Sequence, residues 1–233
     1  MALLMIDTET CIGCGACVAA CPFGALHMEN DKAAVDDKCT ACGACLEVCP
    51  VEALSLPERG KGEEDIRAYQ GVWVWVEQFR GEACSISWEM MGQGRKIADS
   101  LGTTLTACVL GHNVDGIAQQ AIYYGADRVF LVDDPSLGVY RTAPYAKQLV
   151  HLVRQYKPEI FLLGASARGR DLAGAVATEV HTGLTADCTG LDIDPETKLL
   201  RQTRPAFGGN IMATIICPNY RPQMATVRHR VFE

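Results

Sequence analysis

The chain has 233 residues, 48% of them hydrophobic and 21% charged, with twelve cysteines and a formal charge of −7. That composition belongs to a globular protein and excludes a disordered or fibrous chain. The longest apolar runs, residues 71–76 and 211–216, fall far short of the roughly 18–20 residues a membrane helix needs, so no membrane span is expected.

The charge is local. Residues 1–58 hold nine acids against two bases (Lys32 and Lys38), while residues 59–233 hold nineteen of each. An acidic head on a neutral body speaks against nucleic acid, which needs a basic footprint. It suits docking to a basic protein face, and equally a small domain kept soluble by its charge. The first residues, Met-Ala-Leu-Leu-Met-Ile-Asp, lack the basic start and long apolar stretch of a signal peptide, so a reducing, cytoplasmic setting is expected.

Eight of the twelve cysteines lie between Cys11 and Cys49, in an internal repeat of period 28. Cys11, Cys14, Cys17 and Cys21 map onto Cys39, Cys42, Cys45 and Cys49. Pro22 maps onto Pro50, Gly15-Ala16 onto Gly43-Ala44, and Ala25-Leu26 onto Ala53-Leu54. The unit C-x2-C-x2-C-x3-C-P thus occurs twice. A zinc site needs only four ligands, usually as two separated pairs. Three cysteines at successive two-residue gaps instead let one loop wrap the corner of a larger group.

This run resembles the bacterial two-cluster ferredoxin over about residues 3–56, where the fourth cysteine of each run serves the other cluster. The resemblance implies one [4Fe–4S] cluster on Cys11, Cys14, Cys17 and Cys49, and a second on Cys39, Cys42, Cys45 and Cys21. Small residues between the ligands would let backbone N–H groups approach the sulfurs, and the local acidity favours a low potential. With few large apolar residues, the clusters are expected to be the folding nucleus of this segment.

Residues 56–65 are polar, with Pro57, Gly60 and Gly62, and read as a linker. Strand and helix signals then alternate. Residues 71–76 (GVWVWV) are a strand by composition. Residues 86–101 place Ile86, Met90, Ile97 and Leu101 on one helical face, ended by Gly102. Strands are expected at 103–110, 128–132 and 159–164. Helices are expected from an Asn113 cap to Tyr124, over 142–155 and over 171–181. Four βα units of this size predict a doubly wound, mainly parallel α/β sheet. After Gly183 a hairpin (188–193 with 199–203) and a strand at 211–216 predict extra antiparallel strands.

Ordinary catalytic signatures are missing: no G-x-G-x-x-G after a strand, no Walker lysine, no H-E-x-x-H. Residues 164–169 (GASARG) follow a strand and open a helix, and read as a connecting turn before an anion site. The five histidines show no ligand spacing. Cys84, Cys108, Cys188 and Cys217 sit singly among apolar neighbours and read as buried thiols. Trp73 and Trp75 share one strand face and read as core or subunit interface.

Four ordered segments, 169–173 (GRDLA), 182–188 (TGLTADC), 203–210 (TRPAFGGN) and 221–228 (RPQMATVR), resemble the α subunit of electron transfer flavoproteins, particularly the branch linked to electron bifurcation. The resemblance runs over about residues 70–233. It implies a fold like the adenine-nucleotide α-hydrolases, FAD, a β-subunit partner of similar fold, a dehydrogenase of the acyl-CoA dehydrogenase type, and ferredoxin as a further partner. By position, Arg204 and Arg228 match family arginines near the flavin, where a cation would stabilise anionic reduced flavin. The family's α subunit normally continues into a C-terminal domain that supplies most FAD contacts. This chain ends where that domain should begin, so FAD is expected in the complex rather than on this chain alone.

The expected organisation is a two-[4Fe–4S] ferredoxin domain (1–58), a charged linker (59–70) and an electron transfer flavoprotein α-type domain (71–233). The expected role is an electron-carrier subunit with no catalytic residues of its own. The alternative is an ATP-using α-hydrolase-type enzyme with an attached iron–sulfur domain, motivated by the fold and the 164–169 loop.

Overall fold

The computed structural model describes residues 4–40, 42–56, 66–206, 209 and 211–232. Residues 59–65 of the expected 59–70 linker lie outside them, as do Phe207, Gly208 and Asn210 of the 203–210 segment. The chain divides into two compact units, Met1–Glu64 and Asp65–Glu233.

In the first unit, β1 (Met5–Ile6), α1 (Ala16–Ala20), β2 (Leu26–Glu29), β3 (Lys32–Val35) and β4 (Leu54–Ser55) surround the cysteine loops. β1 pairs antiparallel with β4, Ile6 opposite Leu54, and β2 pairs with β3 as a hairpin. The hairpin turns through Asn30 and Asp31, both at positive φ (49° and 59°), as a two-residue turn that follows the strand twist demands. The repeat persists in the backbone. Val18 N donates to Gly15 O as Leu46 N does to Gly43 O, and Cys21 N donates to Val18 O as Cys49 N does to Leu46 O. Gly15 and Gly43 both turn the chain at positive φ, 71° and 85°, where glycine carries no steric cost.

The second unit is built on six parallel strands: β5 (Val72–Val76), β8 (Leu105–Gly111), β9 (Arg128–Asp133), β10 (Ile160–Gly164), β11 (Leu184–Cys188) and β15 (Gln223–Val227). Their spatial order is β11-β15-β10-β5-β8-β9. A short hairpin, β6 (Gln78–Phe79) and β7 (Glu82–Ala83), follows β5. All five residues of β5 are buried because both sheet faces are covered. Val72, Val74 and Val76 pack with Met90, Met91, Ile97 and Ile117 from α2 (Ser85–Leu101) and α3 (Asp115–Tyr123). Trp73 and Trp75 pack with Tyr145, Leu149, Leu172 and Val176 from α4 (Thr142–Tyr156) and α5 (Ala167–Glu179). The sheet is therefore doubly wound, and the paired tryptophans are core.

Gly102 ends α2 in the left-handed conformation (φ 63°), with its N–H on Ala98 O and Asp99 O, as its sequence position predicts. Two helix starts differ from the sequence expectation. Asn113 does not cap α3: it sits at φ 58°, and Asp133 at the end of β9 accepts the N–H groups of Asn113 (3.0 Å) and Val114 (2.9 Å). Asp133 thus pins the loop that enters α3, whose first turn has no side-chain cap. Helix α5 begins at Ala167, four residues before Asp171, because Ser166 Oγ accepts the Gly169 N–H at 2.9 Å.

The antiparallel trio β12 (Gly190–Ile193), β13 (Leu200–Ala206) and β14 (Ile211–Ile215) forms as expected. Strand β15 has no counterpart in the sequence reading, although it lies fully buried between β10 and β11. Gln223 and Thr226 hide it, being polar residues whose partners come from elsewhere. Gln223 Oε1 accepts Leu200 N at 2.9 Å, and Thr226 Oγ1 accepts Asp187 N at 3.0 Å. Satisfied in this way, both can be buried without the usual desolvation cost.

Candidate metal centres

Two cavities of the first unit are lined by cysteines. One is bounded by Cys11, Cys14, Cys17 and Cys49 with Gly13, Met28, Ala33 and Ala53. The other is bounded by Cys21, Cys39, Cys42 and Cys45 with Phe23, Ala25, Thr40 and Leu56. Each quartet takes three thiols from one half of the repeat and one from the other. Cys21 and Cys49 each follow the turn that ends their CxxCxxC loop, and the β1–β4 pairing brings residues 5–6 beside residues 54–55.

Both crossing thiols receive a backbone donor. Ala25 N lies 3.3 Å from Cys21 Sγ and Ala53 N lies 3.3 Å from Cys49 Sγ. The donor beside Cys21 holds its thiol below the ordinary range, and the Ala33 and Gly13 amides do the same for Cys11. Burial pushes Cys17 and Cys45 the other way. Gly13 cannot carry a side chain, since a Cβ there would stand 2.2 Å from Asp31 O. Among the described residues, no three His, Cys, Asp or Glu side chains converge tightly enough to hold one metal ion. A tetrahedral zinc at about 2.3 Å from each sulfur would draw the sulfurs to about 3.8 Å of one another. Four thiols spread around one apolar hollow fit a larger, sulfur-ligated group instead. Its chemistry, when bound, is one-electron exchange.

The remaining cysteines divide. Cys108 and Cys188 are fully buried, whereas Cys84 and Cys217 are only half-buried, which corrects the expectation for those two. Burial drives the Cys108 thiol far up and that of Cys188 up to about 12. A pKa near 12 leaves a thiolate fraction of about 10⁻⁴ at pH 8, and only the thiolate reacts. In the cluster-loaded chain, a thiol alkylating reagent at that pH should therefore modify Cys217 well before Cys108 or Cys188. Peptide mass mapping that found Cys188 labelled first would contradict this.

Of the two sequence-predicted flavin residues, Arg204 lies half-buried in β13 opposite Ala213, and Arg228 is exposed immediately after β15. Both bear on Cys188 at the end of β11. Arg228 N donates to Cys188 O at 3.0 Å, and the Arg204 charge acts on the Cys188 thiol.

Local pattern missed the constellation at the point where the strand order reverses, between β5 and β10, where open α/β sheets place their ligands. Glu77 directly follows β5 with its side chain 7% exposed, and Arg168 from the 164–169 segment reaches it at 3.9 Å. The same guanidinium nitrogen donates to Gln78 O at 3.2 Å, and the group sits 4.7 Å over the Phe79 ring. A signal existed, because Glu77 and Arg168 each lie just past a strand. That the two strands are neighbours is a tertiary fact. An anion entering here would meet the Glu77 carboxylate, and the Gly169 N–H is already committed to Ser166. Residues 164–169 serve as a connecting turn.

A small acidic unit with two cysteine quartets, joined in one chain to a doubly wound α/β unit, defines an iron–sulfur-equipped α/β redox protein. Residues 72–233 match the electron transfer flavoprotein domain, and residues 3–50 match the 4Fe-4S dicluster domain. The chain belongs to the electron transfer flavoprotein family, as an α-type member with an N-terminal iron–sulfur region. It is 51% identical to the electron transfer flavoprotein subunit alpha of Thermoanaerobacterium thermosaccharolyticum, over 71% of this chain and 50% of that protein. It is 54% identical to Protein FixB of Azorhizobium caulinodans, over 72% of this chain and 46% of that one. It is 44% identical to the acryloyl-CoA reductase electron transfer subunit beta of Anaerotignum propionicum, over 72% and 52%. The chain thus spans about half the length of the curated relatives it matches. Among the described residues, no helix is long and apolar enough to cross a membrane.

Proposed function

We propose that this chain relays single electrons between two [4Fe–4S] clusters and the FAD of an α/β heterodimer. Cys11, Cys14, Cys17 and Cys49 hold one cluster, and Cys39, Cys42, Cys45 and Cys21 hold the other. The observation that carries the reading is the composition of the two cavity walls: each is a complete quartet built from both halves of the repeat. The chain is organised as a cluster domain (1–58), a linker (59–70) and a flavoprotein α-type domain (71–233). Arg204 and Arg228 supply cations toward reduced flavin, with the remaining FAD contacts coming from the rest of the complex. The partners are the family's β subunit, an acyl-CoA dehydrogenase-type enzyme and ferredoxin, in the cytoplasm. Support for the dehydrogenase comes from the Anaerotignum propionicum relative, an electron transfer subunit of an acryloyl-CoA reductase. Electron bifurcation is the process this set of partners would serve.

Anaerobic purification should give about eight iron and eight sulfide per chain, with broad visible absorbance. Cys14→Ala and Cys42→Ala should each lose about four irons and abolish electron throughput from clusters to flavin, while heterodimer formation persists. Zinc in place of iron, or fewer than four irons in the unaltered chain, would sink the reading.

A further inference from the structure

The first 58 residues contain two lysines and no arginine, and the two lysines stand at different places in the repeat. Lys32 opens β3, is half-buried, and donates from Nζ to the carbonyl oxygen of Cys11, the first cysteine of its run. The next residue, Ala33, is buried in the wall of the same cavity. Lys38 directly precedes Cys39, the first cysteine of the second run. Its side chain, however, is 68% exposed, and Nζ lies 3.9 Å from Asp36 Oδ2. One lysine is thus held against a ligand peptide, and the other is solvated and faced by a carboxylate. Asp7 also acts on Cys11, and its oxygens already accept Glu9 N, Thr10 N and the Thr10 hydroxyl, while Glu29 stands opposite Lys32 across the β2–β3 hairpin.

We infer that Lys32 makes the two cysteine quartets electrostatically unequal, favouring electron uptake by the cluster on Cys11, Cys14, Cys17 and Cys49. The inference rests on the proposed cluster assignment. Reduction adds one negative charge to a site, and a cation close by in a partly buried setting stabilises that charge with little solvent screening. Net charge and nearby hydrogen bonds are the levers by which a protein sets such potentials. Lys38 supplies no matching bias at the second site, because solvent and Asp36 offset it. A single electron delivered by an external reductant therefore settles on the Cys11 quartet, and transfer from the Cys39 quartet to it runs downhill. Lys32 is a positioning residue that acts through the Cys11 peptide and through its charge.

The test is a dithionite titration of the full chain, anaerobically loaded. Paramagnetically shifted cysteine β-proton resonances would show which quartet is reduced first. In the unaltered chain, the Cys11, Cys14, Cys17 and Cys49 signals should respond first. Lys32→Gln keeps a hydrogen-bond donor but loses the charge. It should lower the potential of that step by the equivalent of about tenfold in its equilibrium constant, 59 mV for one electron, and leave the other step in place. Lys32→Arg should restore the original order, and Lys38→Gln should change neither step. Unchanged potentials in Lys32→Gln at full iron content would overturn the inference, as would equal shifts of both steps. Loss of one cluster in Lys32→Gln but not in Lys32→Arg would assign Lys32 to holding the loop and also overturn it. An iron content well below eight in the unaltered chain would instead overturn the cluster assignment underneath.

Discussion

Anaerobic chelation of iron from the loaded chain is expected to unfold residues 4–56 while the six-stranded unit stays native. The described core of the first unit consists of Leu4, Leu26, Leu54, Ala33, Ala53 and the thiols of Cys11, Cys17 and Cys45. Three leucines and two alanines cannot offset the ordering of some fifty residues, at about 1–2 kcal/mol of backbone entropy each. Sulfur–metal bonding must therefore make up the balance, so ligation and folding are one equilibrium. The chain separates the two responses unusually well. Its three tryptophans and seven tyrosines all lie beyond residue 58. The tryptophan emission maximum should keep its native wavelength on chelation, whatever its intensity does once the light-absorbing clusters leave, while amide resonances of residues 4–56 collapse to unfolded shifts. Native amide dispersion in the iron-free first unit would refute the claim that the clusters nucleate it.

Gly169→Ala is expected to be the most damaging single-methyl change in the α/β unit. A Cβ at residue 169 would stand 1.9 Å from the backbone oxygen of Gly164, the last residue of central strand β10. No rotamer relieves a backbone clash. Helix α5 would have to lift from the sheet and loosen Leu172, Ala173 and Val176 from Trp73 and Trp75. The expected cost is about 3 kcal/mol or more, a fall in Tm of about 6–12 °C for a unit of this size. Gly174 in the same helix is the control. A Cβ there meets nothing within 4 Å, so Gly174→Ala should be neutral or stabilise by up to about 1 kcal/mol through helix propensity. Calorimetry that placed Gly169→Ala within about 1 kcal/mol of the unaltered chain would remove the steric account.

These two cases show where sequence pattern reaches and where it stops. The 28-residue repeat, the eight spaced thiols and the alternation of strand and helix from Val72 to Glu179 are local signals, written within a few turns of chain. The strands and helices of that alternation formed, with α5 starting four residues early. The expected Asn113 cap on α3 did not form: α3 has no side-chain cap, and Asp133 from the neighbouring strand holds the amides of the loop that enters it. Strand β15 was illegible because Gln223 and Thr226 break its apolar pattern, and only their bonds to Leu200 and Asp187 make their burial tolerable.

The sequence by itself determined the chemistry: which thiols are available, at what spacing, and on which acidic segment. Ligand type and spacing are properties of a short stretch of chain, so no tertiary knowledge was needed to read them. The tertiary structure decided what stands beside what. It set Arg168 against Glu77 at the reversal of strand order, brought Arg204 and Arg228 to the end of β11, and laid Lys32 on the Cys11 carbonyl while leaving Lys38 in solvent. Electrostatic influence depends on distance and burial rather than on separation along the chain. Lys32, far from Cys11 along the chain, therefore acquires its role only once the chain folds.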